Sequence, residues 1–172
     1  MFDFEALLPT ALAFAAVLTS SHTADGFPGF ADAVILGTIG QLGVGGGVGY
    51  AIEFAGQAVR VTSPDNVFFS KRAETKLDLV EYYLAVADPL LETMGGRPTL
   101  MQRFPDGASG KNFFQKRVPS GAPDWLETTV VSTPNGTESD AMVVADLAHA
   151  IWAVNLGCLG FHVWPYLAAS PE

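Results

Sequence analysis

The sequence predicts an α+β fold, a mixed sheet with flanking helices, and three observations predict it. Residues 75–96, "TKLDLVEYYLAVADPLLETMGG", carry a helical apolar pattern between start and stop signals. Short β-branched and aromatic runs follow at 99–104 ("TLMQRF"), 113–118 ("FFQKRV") and 128–133 ("TTVVST"), separated by turn-forming residues. A second helical pattern, "DLAHAIWAVNL", occupies 146–156. Strands and helices mixed in this way, with no internal repeat, make an α+β unit.

The chain changes character near residue 52, which divides it into a leader at 1–51 and an α+β half-domain at 52–172. The leader is Gly- and Ala-rich; residues 1–50 hold four acids (Asp3, Glu5, Asp25, Asp32) and no Lys or Arg. Two uncharged runs, 6–21 and 33–52, precede the half-domain. The second is about long enough to span a bilayer. Seven glycines interrupt it and no basic residue flanks it, which argues against a membrane anchor. The stretch "VILGTIGQLGVGGGVG" at 34–49 fits neither a G-x-G-x-x-G register nor a P-loop. Asp3 and Glu5 stand where a signal peptide carries cations. Cys158 is the only cysteine, so no intrachain disulfide forms and a reducing, cytoplasmic compartment is the expectation.

From residue 52 onward each element has a local reason. "EFAGQAVRVT" reads as the start of a hairpin, with β-branched residues around Gly56. In the long helix Thr75 and Asp78 have the form of a capping box. Leu77, Val80, Leu84, Ala87, Leu91 and Met94 make its apolar stripe, Pro89 is a kink point, and Gly95-Gly96 stop it. Asn135-Gly136 is a hairpin turn leading into "AMVVA". The second helix presents Leu147, Ile151 and Val154 and ends at Gly157. Trp125, after Pro123-Asp124, reads as a cap on the core.

Length and composition bound the function. The 172 residues make about one domain, 49% apolar and 16% charged, with a net charge of −9. That balance argues against nucleic-acid binding as a whole-chain average. Between Arg97 and Arg117, however, five cations (Arg97, Arg103, Lys111, Lys116, Arg117) face one acid, Asp106. Such a patch can bind phosphate on a protein acidic overall. In a strand at 113–117, Phe113, Gln115 and Arg117 share one face and Phe114 and Lys116 the other. One phenylalanine can then anchor in the core while its neighbour offers a ring to a base beside a cation. Lys76 opens the long helix, where N–H groups and the dipole suit a phosphate, with Lys71 and Arg72 on the loop before it. Three solvated surface cations are the equal alternative.

Four collinear stretches carry a resemblance: "VRVTSPDNVFF", "TKLDLVEYYLAVADPLL", "GRPTLMQRFPDGASGKNFFQKRVPSGAPDW" and "VVADLAHAIWAVNLGCLGFHVWP". From about Ile52 to Pro165 the chain resembles the polymerase domain of bacterial DNA ligase D, a primase-like nucleotidyltransferase of non-homologous end joining. The resemblance implies a partial archaeo-eukaryotic primase-like fold and DNA ends with a 5'-phosphate as the partner. It implies a phosphate-gripping pocket in which Lys76 matches one lysine and Asn66 stands in place of the other; Lys71 and Arg72 are the candidates to replace the lost charge. It implies template contacts from Phe113 and Phe114, a basic surface including Arg103 and Lys116, with Gln102 where many members carry a cation, and a nucleotide-site role for His162.

The family uses divalent manganese or magnesium held by an Asp-x-Asp pair and a later Asp. No Asp-x-Asp occurs in residues 1–172, and Asp140 and Asp146, six apart, do not match that pattern. The expectation is therefore a truncated relative without catalytic or metal residues of its own, needing no cofactor as a single chain. Its partners would be DNA ends and, beyond them, Ku, a ligase domain or a second chain supplying the carboxylates. The alternatives are a non-catalytic DNA-break-binding module, an inactive remnant, or a membrane-tethered protein. His149, Cys158 and His162 match no common zinc spacing and lack a fourth ligand. "GASGK" at 107–111 reads as a turn, and Asn135-Gly136-Thr137 is a glycosylation sequon by pattern alone.

Overall fold

A computed structural model describes residues 49–54, 57–132 and 136–170, with side chains at Ile52 and from Gln57 onward. Residues 1–48, most of the expected leader at 1–51, residues 55–56 and residues 133–135, with the sequon residue Asn135, lie outside the described residues. Among those described, no helix is long and apolar enough to cross a membrane.

The expected hairpin forms from β1 (Gly49–Phe54) and β2 (Gln57–Thr62), with Phe54 opposite Gln57. Alternation in β2 buries Val59 and Val61 and exposes Arg60 and Thr62, as one apolar face requires. A second, smaller hairpin follows, β3 (Val67–Phe69) with β4 (Glu74–Thr75).

The pattern at 75–96 becomes two helices, α1 (Lys76–Ala85) and α2 (Ala87–Met94), instead of one kinked helix. The break falls at Val86, at φ −110° and ψ 22°. Pro89 causes it: proline has no N–H to give the Ala85 carbonyl, and its ring would collide with that carbonyl in a continuous helix. Placed in the first turn of α2, the missing donor costs nothing, because the first N–H groups of a helix have no intrahelical partner. The Thr75–Asp78 capping box is present: Thr75 N–H donates to Asp78 Oδ2 at 2.6 Å and Asp78 N–H to Thr75 Oγ1 at 3.3 Å. The break also rotates the buried face. Lys76, Leu79, Val80 and Tyr83 are buried in α1 and Met94 in α2, whereas Leu77, Leu84 and Leu91 of the expected stripe are only partly covered.

The main sheet has five strands: β5 (Pro98–Arg103), β6 (Phe113–Gln115), β7 (Thr128–Ser132), β8 (Glu138–Val143) and β9 (Cys158–Val163). All described pairs are antiparallel. Central β5 pairs along one edge with β9, from Thr99 to Arg103, and along the other with β8 at Pro98–Thr99 and β6 at Met101–Arg103. Helix α3 (Leu147–Asn155) connects β8 to β9 and packs against β2, α1 and β9. Every residue from Ala148 to Val154 is buried, so α3 is a central helix covered all round and not the one-striped helix its sequence suggests. Gly157 ends it at φ +82°; a Cβ there would come to 3.0 Å from the Phe104 carbonyl oxygen, so only glycine fits.

Asp146 caps α3, its Oδ1 accepting from His149 N–H at 3.2 Å and contacting His149 Nδ1 at 2.6 Å. His149 Nε2 accepts from Glu127 N–H at 3.0 Å, which places the ring proton on Nδ1. Trp125 lies edge-on to the same ring, 5.3 Å between centroids, partly buried against the core. Both His149 nitrogens are thus committed. The Cys158 thiol is fully buried, donates to the Gly160 carbonyl at 3.2 Å, and is pushed up to about 12 by that burial. Both residues are packing groups, which removes the zinc reading.

Burial pushes the Asp146 carboxyl up, but the His149 side-chain and backbone bonds outweigh it and hold it below its ordinary value. A carboxylate depressed in the folded state contributes stability above its unfolded pKa, about 4, and loses it as pH falls through the folded value. Asp146→Asn should keep the cap and flatten the acid limb of a stability–pH profile below about pH 4. Asp146→Ala should cost about 1 kcal/mol at neutral pH through the lost cap, measured by urea unfolding.

Candidate nucleic-acid interface

Cross-strand partners share a face of a sheet, and residues two apart on one strand do too. Gln102 faces Phe114 on β6 and Gly160 on β9, while Leu100 faces His162. Leu100, Gln102, Phe114, Gly160 and His162 therefore lie on one side of the sheet. Thr99, Met101 and Arg103, with their partners Phe113, Gln115 and Phe161, lie on the other, where Tyr83 of α1 meets Phe161 at 5.7 Å between ring centroids. The structure thus brings the template candidate Phe114 and the nucleotide candidate His162 together on the side away from α1. Their rings meet edge-on at 5.3 Å. Beside them an open hollow of about 290 Å³ is lined by Leu100, His162, Val163, Trp164 and Pro165.

Phe113 and Phe114 are both exposed, 44% and 58%, so neither anchors in the core. The expectation of one core ring fails because β6 is a three-residue strand at the sheet edge, next to β5 alone. Phe113 instead lies against the Arg103 guanidinium, 5.3 Å from its centroid. Arg103 also hydrogen-bonds Gln115 Oε1 and donates from Nε to the Leu156 carbonyl at 2.9 Å. Lys116 is partly buried and Arg117 exposed, the latter donating to the Glu138 carbonyl at 3.4 Å.

The phosphate candidates are divided between two places. Asn66 and Lys76 meet at the base of the β3–β4 hairpin, where Lys76 N–H donates to the Asn66 carbonyl at 2.8 Å. Leu77 N–H donates to the Pro64 carbonyl at 3.0 Å. The opening N–H groups of α1 are therefore satisfied within the chain and do not point outward, which corrects the open-terminus expectation. Lys71 and Arg72 sit at the far, tip end of the hairpin, exposed, with Arg72 3.0 Å from Glu74.

Lys76 itself turns inward and is 8% exposed. Its Nζ donates to the Thr62 carbonyl at 2.7 Å and to the Asn155 carbonyl at 3.1 Å. Asn155 is the last residue of α3, whose final carbonyls lack intrahelical donors and whose dipole is negative there. α3 has no basic residue in its own last turn. Lys76 and Arg103 supply that charge from outside, on Asn155 and Leu156. Burial lowers the pKa of both below their ordinary values.

The donor set described here does not fit a divalent cation. Among the described residues no group of three or more His, Cys, Asp or Glu could hold one. Asp146 is spent on α3 and His149, and Asp140 lies exposed on β8. Sequence reasoning passed over two residues of the open face. Asn112 Oδ1 accepts from Gln102 Nε2 at 3.0 Å, and Gly160 lies directly under the Gln102 side chain. A glycine inside a strand is the signal that could have found the second.

Comparison with known proteins places this geometry in a family. A family model described as "LigD, primase-polymerase domain" matches residues 75–172. The multifunctional non-homologous end joining protein LigD of Mycolicibacterium smegmatis is 32% identical over 107 residues, 62% of this chain and 14% of that protein. The bifunctional non-homologous end joining protein LigD of Bacillus subtilis is 33% identical over 105 residues, 61% and 16% respectively. Among solved structures, the polymerase domain of Mycobacterium tuberculosis ligase D in complex with DNA aligns with a TM-score of 0.58 at 28% identity. That alignment covers 61% of this chain and 36% of the solved one. The matched stretch is thus a small part of the length of the curated relatives. With more than half of its residues matched by the family model, the chain belongs to the LigD primase-polymerase domain family.

Proposed function

We propose that this chain contributes the DNA-break- and template-contacting part of a ligase D-type polymerase acting in non-homologous end joining. The observation that carries the reading is the pair of adjacent phenylalanines, both exposed on an edge strand, with His162 beside one and Arg103 beside the other. Exposed rings hold single-stranded nucleic acid by base stacking, with a nearby Lys or Arg for its backbone. The solved relative, in complex with DNA, supports the same reading. In this scheme Phe113 and Phe114 meet the template strand, with Lys116 on its backbone, and His162 faces the incoming nucleotide. Asn66 and Lys76, at the hairpin base, meet the 5'-phosphate, and Lys71 and Arg72 add charge at the tip. Nucleotidyl transfer needs metal-holding carboxylates that residues 1–172 do not contain as an Asp-x-Asp pair. They come from sequence beyond these residues or from a second chain. A stand-alone break-binding module is the second reading, favoured by the misfit of the described carboxylates to a metal.

The test is fluorescence anisotropy with gapped DNA carrying a 5'-phosphate or a 5'-hydroxyl, at fixed low salt. Binding that weakens with salt, with a several-fold preference for the phosphate, is the expected result. The preference should be modest, because two of the three N–H donors of Lys76 are already engaged. Affinity independent of both salt and the 5' group would overturn the reading. Template-dependent nucleotide addition only when a carboxylate-bearing partner chain is added would separate the polymerase part from the stand-alone module.

A further inference from the structure

We infer that Gln102 is a positioning residue that holds His162 against Phe114, and that Gly160 exists to let it do so; the inference rests on the proposed DNA-binding role of this face. Gln102 sits on the open side of central strand β5, between Phe114 on β6 and Gly160 on β9. Its amide bridges the two flanking elements. Nε2 donates to Asn112 Oδ1 at 3.0 Å on the β6 side, which leaves Oε1 facing His162 Nε2 at 3.4 Å on the β9 side. With Oε1 as acceptor, the imidazole proton resides on Nε2 and the Nδ1 lone pair stays available.

Gly160 supplies the second, independent observation. A Cβ at residue 160 would lie 2.8 Å from Gln102 Oε1, 3.0 Å from Gln102 Cβ and 3.3 Å from His162 Nε2. Glycine weakens a strand interior, and its presence marks a close approach. Here the approaching group is the Gln102 side chain crossing β9 to reach the imidazole. A lysine or arginine at residue 102 could not accept from His162 Nε2–H, since neither offers an acceptor. Glutamine offers both: an acceptor toward His162 and a donor toward Asn112. The ring pair keeps a fixed edge-on geometry because each side of Gln102 is tied.

The test uses the full chain and two readouts. The His162 ring-proton resonances should show a ring-current shift from Phe114, and Phe114→Leu should remove it. Gln102→Leu keeps bulk but has no amide and should release the ring, moving both His162 signals toward random-coil positions. Gly160→Ala should do the same with Gln102 still present, by displacing its side chain. Gln102→Glu restores the acceptor and should recover the shift while raising the pH midpoint of the His162 signals, a change that loss of packing alone would not produce. His162 resonances unmoved by Gln102→Leu and Gly160→Ala would overturn the inference. Affinity for single-stranded DNA, measured in parallel, should fall several-fold in both variants. Loss of the ring-current shift with unchanged DNA affinity would uphold the positioning role while overturning the reading of this face as a DNA surface.

Discussion

Lys76→Met is expected to lower the melting temperature by on the order of 10 °C at neutral pH, although lysine to methionine is a mild exchange at a solvated site. Two charge-assisted hydrogen bonds, to the Thr62 and Asn155 carbonyls, would be lost. At about 1.5 kcal/mol each they amount to roughly 3 kcal/mol, and a chain of this size loses about 2–4 °C per kcal/mol. Methionine keeps the apolar stem, so packing is not the cause. Thermal unfolding followed by circular dichroism reads the effect directly. The result bears on phosphate recognition as well. A normal melting temperature combined with loss of the 5'-phosphate preference would show an ammonium that faces solvent and serves only DNA. A large drop shows that the lysine holds the β2 end and the α3 terminus together, and that any phosphate contact uses its remaining N–H.

Phe114→Ala should do the opposite, leaving stability almost unchanged while weakening template binding. The ring is 58% exposed and absent from the buried core. Its removal should alter the urea midpoint little, in line with other surface substitutions. Stacking of a base on an aromatic ring contributes about 1–3 kcal/mol, so affinity for a single-stranded template overhang should fall about 5- to 150-fold. Phe113→Ala should show a smaller loss of affinity and a small loss of stability, because that ring also covers the Arg103 guanidinium. Anisotropy titrations of both variants beside the parent chain provide the comparison. Unchanged affinity in Phe114→Ala would show that the exposed pair serves something other than nucleic acid.

The two predictions diverge because Lys76 and Phe114 occupy opposite environments, one buried and one exposed. Lys76 and Arg103 look like surface cations in sequence, yet both close the carboxyl end of α3. Phe113 and Phe114 look like half-core residues, yet both face outward. Nothing within five residues of any of them announces this. The end of α3 is 79 residues from Lys76 and 53 from Arg103 along the chain.

Local chemistry was legible in the sequence. The Thr75–Asp78 capping box, the hairpin at 52–62, the strands near 99, 113 and 128, and the stop at Gly157 all follow from short-range signals: hydrogen bonds three residues apart, alternation, and the conformational freedom of glycine. Family membership was legible too, since four collinear stretches record it without any contact being known. Other features needed the tertiary structure. Pro89 marked the interruption in the sequence, but only the tertiary structure showed that it takes the form of two helices broken at Val86. The burial of α3 on all sides depends on β2, α1 and β9 closing around it. The inward turn of Lys76 and the meeting of Gln102, Phe114 and His162 across three strands depend on register, which pairs residues far apart in sequence. Periodicity tells which face of an element is apolar; only the assembled sheet decides what that face, and its opposite, will meet.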